Sequence, residues 1–222
     1  IAFLLMLSIG LLTWIIGGAL RFDRKMMSAV IITAIFMNAG NYGLPLTSFA
    51  FGEEALAFAS IFFVFNALST NTIGIVIASS GSMSVLKAIK GLVKFPAIYA
   101  LILGVLFLQF GWTLPTGVDR TVDLLSNAAI PCMLLLLGMQ LVNIRIDSNI
   151  RPLILISSMR LLVAPVLAVL LTKLLGMSGP AYQAVVLEAG MPVAVLTTIL
   201  SIEFDAKPSL VTTAVLVTTL LS

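Results

Sequence analysis

The chain has no histidine and one cysteine, and Lys, Arg, Asp and Glu together supply only 9% of its 222 residues. Lack of histidine removes the commonest metal ligand and the side chain that titrates near neutral pH. Cys132 stands alone in an apolar run, so no internal disulfide is open to the chain. No paired carboxylates, Ser–Lys spacing or Cys–His pair unite a nucleophile with a base. The sequence therefore carries no catalytic constellation and implies neither a metal nor a cofactor. The scarcity of charge also excludes a soluble domain, because 60% of the residues are hydrophobic and the mean hydropathy is +1.19. A net charge of +3 with a pI of 9.3 suits anionic lipid headgroups and requires no nucleic acid.

Long apolar runs make up for what is missing. About 20 residues of helix cross a hydrocarbon core of roughly 30 Å. A β-barrel would alternate with period two, whereas Phe58 to Ala78 and Leu153 to Leu175 are nearly continuous apolar stretches. The expected fold is an all-α polytopic membrane protein. Charge and turn clusters divide it into segments at roughly Ile1–Leu20, Met27–Phe51, Ala55–Ser79, Phe95–Leu114, Thr121–Asn143, Pro152–Leu175, Pro180–Ile202 and Pro208–Ser222. The first starts inside an apolar run and the last is short, so a fragment cut at both ends is expected. Alternating the connections puts Arg21, Arg24, Lys25, Lys87, Lys90, Lys94, Arg145, Arg151 and Lys207 on one side, against Arg120 and Lys173 on the other. By the positive-inside rule the first side is cytoplasmic, and Ile1 enters from outside.

Internal repetition is the most informative pattern. An offset of 150 places Met27-Ser28 on Met177-Ser178 and Ala39-Gly40 on Ala189-Gly190, each Ala-Gly being followed by a proline, Pro45 or Pro192. The two segments run in opposite directions, which is the arrangement of inverted-topology repeats whose broken helices meet at mid-membrane. Proline lacks an N–H and clashes with the preceding turn. The backbone groups freed by a break are tolerated only against protein or a wet cavity. The substrate-binding candidates are therefore Asn38, Gly40, Asn41, Gly43 and Pro45 at the first break and Gly190, Met191 and Pro192 at the second. Half-helix N-termini and the two asparagine amides would face a bound anion. Gly, Ala and Asn at these places also suit close helix packing.

Glu188 and Arg160 fall near mid-depth, where charges are costly and are usually paired or functional. They are candidates for ion or proton coupling, with Arg160 pairing Glu188 or contacting substrate; a guanidinium snorkelling to the interface is the alternative. Asn66, Asn71, Ser126 and Asn127 are candidates for lining the pocket or for interhelical hydrogen bonds.

The run Asn38 to Pro45, followed by Phe51-Gly52-Glu53-Glu54-Ala55-Leu56-Ala57 and a span with Asn66, resembles the fourth and fifth helices of the auxin efflux carrier family. Glu188-Ala189-Gly190-Met191-Pro192-Val193-Ala194, then Thr197-Thr198 and the closing Thr218-Thr219-Leu220-Leu221-Ser222, is similar to its ninth and tenth. The resemblance is to the bacterial type, within the wider bile acid and auxin carrier superfamily, because the loop Ser80 to Lys94 is short. It implies ten helices in two inverted repeats of five, eight of which are present here. Residues 1–79 would hold the third to fifth helices with a crossover at 38–45, and 80–94 a cytoplasmic loop. Residues 95–143 would be scaffold helices, and 152–222 the eighth to tenth with a crossover at 188–192.

The implied protein is a secondary active permease for small organic anions, carboxylates or auxin-like acids, working by alternating access of an elevator type. It would sit in the cell membrane with both native termini outside, coupled to protons or sodium, as a homodimer. A sodium-coupled symporter of the bile-acid type and a channel are the alternatives. Glu188 departs from expectation, since a carboxylate at the second crossover repels an anion unless it is neutralised.

Overall fold

The computed structural model describes residues 1–79, 96–140, 147 and 149–222. The expected loop 80–94, with Lys87, Lys90 and Lys94, lies outside the described residues, as do Phe95, Arg145 and the end of the segment expected to reach Asn143. The described residues are all-α: α1 Ala2–Ala19, α2 Arg24–Ile35, α3 Leu44–Ser69, α4 Ile75–Ala78, α5 Pro96–Phe110, α6 Thr116–Gln140, α7 Ile150–Ser158, α8 Ala164–Leu174, α9 Gly179–Ala189, α10 Leu196–Glu203 and α11 Pro208–Leu221.

Three π-helical turns, Ala39–Gly43, Thr70–Gly74 and Met159–Val163, join some of these into longer rods. Two of them directly precede a helix with proline in its first turn, Pro45 in α3 and Pro165 in α8. A proline ring collides with the carbonyl four residues back. Widening the turn by one residue relieves that collision, and the N–H groups of Leu44 and Ala164 donate five residues back, to the carbonyls of Ala39 and Met159. The rods Ala2–Ala19, Ala39–Ala78, Thr116–Met139 and Ile150–Leu174 are long and apolar enough to cross a membrane. Within Ala39–Ala78, Gly52 takes φ 76° and ψ −169°, a region open to glycine. The bend falls between the expected segments ending at Phe51 and starting at Ala55.

Helix starts follow local chemistry. The Asp23 carboxylate accepts from Met26 N at 2.7 Å and caps α2. Pro180 and Pro208 occupy the first turns of α9 and α11, where a missing N–H costs nothing. Along the helices, Thr33, Thr70, Thr172 and Thr218 donate their hydroxyls to carbonyls four residues back, so these four carry no unmet donor into the apolar interior.

α9 lies along α3 and against α8, α1 against α2, and α11 against α2 and α7. Leu5, Ile9, Ile32, Phe36, Ile156 and Val193 are fully buried where these helices meet. α6 meets this body at the Ala39–Gly43 turn and α3. Large apolar side chains face outward all along the rods, among them Leu11, Trp14, Leu125, Leu135, Leu170 and Leu174. An outer surface of this kind suits hydrocarbon.

Three connections gather on one face. Lys25 is paired with Asp205, and Lys207 lies 3.9 Å from Asp23. Asp147 accepts from Ser209 Oγ at 2.9 Å while its N–H donates to Thr213 Oγ1 at 2.7 Å. These are connections that the distribution of Lys and Arg places on a common side.

Candidate binding site at two crossed helix breaks

Both broken helices lose helical geometry at the centre of the molecule. α2 ends at Ile35, the chain is extended at Phe36, and helix resumes at Ala39. α9 ends at Ala189, and α10 begins at Leu196. The extended stretches cross as an antiparallel bridge between Met37 and Val193. Asn38 N donates to Pro192 O at 2.8 Å and Ala194 N donates to Phe36 O at 3.0 Å. Each break thus satisfies part of the other's freed backbone.

The bridge diverts the donors that would have closed the last helical turns. The carbonyl of Ala34 would ordinarily accept from Asn38 N, and that of Ala189 from Val193 N. Asn38 N is taken by Pro192, and Val193 N donates instead to Thr218 Oγ1 at 3.1 Å. Arg160 fills both vacancies. One terminal nitrogen donates to Ala34 O at 2.8 Å and the other to Ala189 O at 2.6 Å, with the residue fully buried. Two helix C-termini carry about half a negative charge each, which together balance one guanidinium. Arg160 is buried on these two carbonyls and does not reach the Glu188 carboxyl, neither oxygen of which has a hydrogen-bond partner. The expected partnership of Arg160 with Glu188 is corrected accordingly. The carbonyls it holds were unreadable from sequence because they are orphaned only once the helices cross.

On the other side of the bridge lies a cavity of about 230 Å³, lined by Met37, Asn38, Gly40, Asn41, Phe63, Asn66, Ala67, Thr70, Ala194, Val195, Leu196 and Ile199. Its wall holds the starts of both downstream half-helices, the turn at Gly40 and Asn41 and the first residues of α10. The first N–H groups of a helix have no partner in its own ladder. Asn38 is 6% exposed and its amide nitrogen has no partner. Asn66 donates its amide to Met37 O at 2.9 Å and so braces the extended strand from behind. Gly40 has room for no side chain, since a Cβ there would stand 2.8 Å from Phe63 Cε2.

The remaining expected residues have other placements. Gly190 and Met191 line a separate cavity of about 380 Å³ with Tyr42, Tyr182 and Gln183, while Pro192 contributes its carbonyl to the bridge. Pro45 is buried in the first turn of α3. Gly43 packs against the Glu188 carboxyl, and a Cβ at 43 would lie 2.6 Å from Glu188 Cδ. Asn71 is half-buried and donates to Ala67 O at 2.8 Å within its own helix, outside the lining of the cavity. Ser126 and Asn127 are exposed on α6, outside the lining of this cavity; it is the Met133 region of α6 that reaches α3 and α9. The breaks also sit in a register different from the offset of 150. Ala39-Gly40 follows the first break, whereas Ala189-Gly190 precedes the second. Sequence reasoning passed over Thr70 and named Thr218 only within a motif, without a role, since their hydroxyls look like any others in an apolar helix.

Two broken helices crossing through an antiparallel bridge, inside a bundle with an apolar exterior, define a polytopic helical membrane protein. The family model described as membrane transport protein matches residues 1–222. An uncharacterized transporter of Methanothermobacter thermautotrophicus is 34% identical over 193 residues, covering 86% of this chain and 63% of that protein. An uncharacterized transporter of Methanocaldococcus jannaschii is 26% identical over 230 residues, covering 100% of this chain and 74% of that protein. Auxin efflux carrier component 8 of Arabidopsis thaliana is 23% identical over 145 residues, covering 62% of this chain and 40% of that protein. The chain belongs to this membrane transport family, that of the auxin efflux carriers, and spans less than two thirds of its Methanothermobacter relative.

Proposed function

We propose that the protein is a secondary active transporter of small organic anions, with its substrate site in the cavity beside the crossed breaks. The observation that carries this reading is the buried, unpartnered amide of Asn38, which lines a cavity walled by the starts of two half-helices. Both supply partial positive charge, and neither is neutralised there by a carboxylate, because none lines the cavity. A volume of about 230 Å³ is roughly eight waters' share of the liquid, suited to a carboxylate of a few carbons. The name of the plant relative, an auxin efflux carrier, agrees with an organic acid as cargo.

In this reading residues 1–79 and 152–222 form a mobile unit that carries the cavity as an elevator against scaffold helices within 95–143, in two inverted repeats. The lysine- and arginine-rich face lies in the cytoplasm of a cell-membrane protein whose native termini are outside. The test is uptake of labelled malate, malonate and indole-acetate into proteoliposomes by the full-length protein and its Asn38→Leu variant. A hydrogen bond to a charged group contributes about 1.5–3 kcal/mol, so KM should rise by about 10- to 100-fold. Saturable uptake with the same KM in the variant would place the site elsewhere.

A further inference from the structure

Glu188 is the buried charged group for which the crossover provides no partner. Its side chain is fully buried in the last turn of α9, and neither carboxyl oxygen has a hydrogen-bond partner. It is pressed against the backbone of Gly43, where even a methyl group would collide with it. Beside it lies the buried hydroxyl of Thr47, the neighbouring side chain whose proton the carboxyl could share. Three buried oxygens thus share one dry place with a single hydroxyl proton, that of Thr47, among them.

The charged groups around it leave that deficit unfilled. Arg160, on the turn leading into α8, reaches the neighbouring Ala189 carbonyl but spends both terminal nitrogens on the helix ends, whose dipoles already balance its charge. On the other elements packed against α9, Glu53 and Glu54 of α3 and Lys173 of α8 are exposed. Tyr42 of the Ala39–Gly43 turn accepts from Ser222 Oγ at 3.4 Å and lines the larger cavity. A metal cation would need about six oxygens; the described residues hold no cluster of acidic ligands, and Gly43 closes the space on one side. What fits is the smallest cation. One proton turns an acceptor into a donor, lets Oε–H turn toward Thr47 Oγ, and removes an uncompensated charge from the interior.

We propose that Glu188 is a proton-carrying site, which holds one proton while seated against Gly43 and moves it across the membrane with each anion. The transport half of this statement rests on the reading of the preceding subsection; the protonation half does not. No bond other than O–H forms or breaks; one proton makes the step electroneutral for a monovalent anion such as indole-acetate and leaves one net negative charge for a dianion such as malonate.

The experiment uses the full-length protein in proteoliposomes, wild type and Glu188→Gln. Labelled malonate, malate and indole-acetate are the cargo, with a pH dye inside and imposed proton or sodium gradients. In parallel, infrared difference spectra of both proteins are taken over a pH step. The proposal expects a protonated-carboxyl band in the wild type that is absent from the variant. It also expects accumulation of about tenfold per pH unit, the limit for one proton per monovalent anion, with acidification of the lumen. Glu188→Gln should retain exchange at equal pH and lose the response to the gradient. A wild-type spectrum without that band would overturn the proposal whether or not the variant folds, as would uptake driven by sodium and indifferent to protons. The band without uptake of any of the three anions would uphold the protonated site and sink the organic-anion reading.

Discussion

Replacing Arg160 by methionine keeps a long apolar side chain in place while removing the group that holds two helix ends together. In the native structure the guanidinium donates at 2.8 Å to Ala34 O and at 2.6 Å to Ala189 O. Neither carbonyl can return to an ordinary helical partner, because the N–H groups four residues on are committed to Pro192 O and Thr218 Oγ1. The substitution recovers the cost of burying a charge but leaves two dry carbonyls and two unbalanced helix dipoles. Removing one member of a buried charge-paired set costs about 3–5 kcal/mol, and that is the expected loss. Arg160→Lys, with a single ammonium unable to span both carbonyls, should lose about half as much. Reversible unfolding of the purified protein in bicelles, titrated with SDS, reads both variants on one scale. If Arg160→Met falls within about 1 kcal/mol of the wild type, the clamp does not hold the crossing together and the account of the two diverted donors is wrong.

Thr218→Val removes the acceptor for Val193 N and leaves a buried N–H unpaired. It should cost about 1–3 kcal/mol in the same unfolding assay, with Thr218→Ser close to the wild type. At the face that carries Lys25 and Lys207, the hydrogen bond from Lys25, aided by its charge, holds the Asp205 carboxyl below its ordinary value of 3.8. A depressed carboxyl contributes stability above that ordinary value and loses it as pH falls through the lower, folded one. Lys25→Met should therefore move the Asp205 carbon resonance titration upward in pH, and an unmoved titration would show that the pair does not persist in solution. The effect on stability is small because both groups are exposed.

The existence of the spans was legible because apolar runs of sufficient length admit few alternatives, and the breaks were legible because Gly, Asn and Pro cluster there. The geometry around the breaks was not. The first interruption was expected over Asn38 to Pro45, yet Pro45 starts a helix, and the extended break lies upstream at Phe36. Proline dictates only that the preceding turn be distorted, and a π turn meets that demand as well as a rupture does. The polar lining was half legible. Asn38, Asn41 and Asn66 come together in the cavity, whereas Asn71 and Ser126 have the same composition signal but point along other faces. Depth and facing of a polar residue follow from helix rotation, which a uniformly apolar sequence does not encode strongly. Arg160 was recognisable as exceptional, but its partners are backbone carbonyls from helices distant in sequence, and no side-chain pattern marks them.

The most direct test of the cavity is a chemical one. With Cys132 replaced by serine, Leu196→Cys places a lone thiol at the start of α10, on the cavity wall. The measurement is its rate of modification by a small charged thiosulfonate reagent, with and without malonate, malate or indole-acetate. The account predicts that the transported anion slows labelling in a saturable way, with half-protection near the KM for uptake. Labelling that proceeds at an unchanged rate while the same protein transports the anion would contradict it.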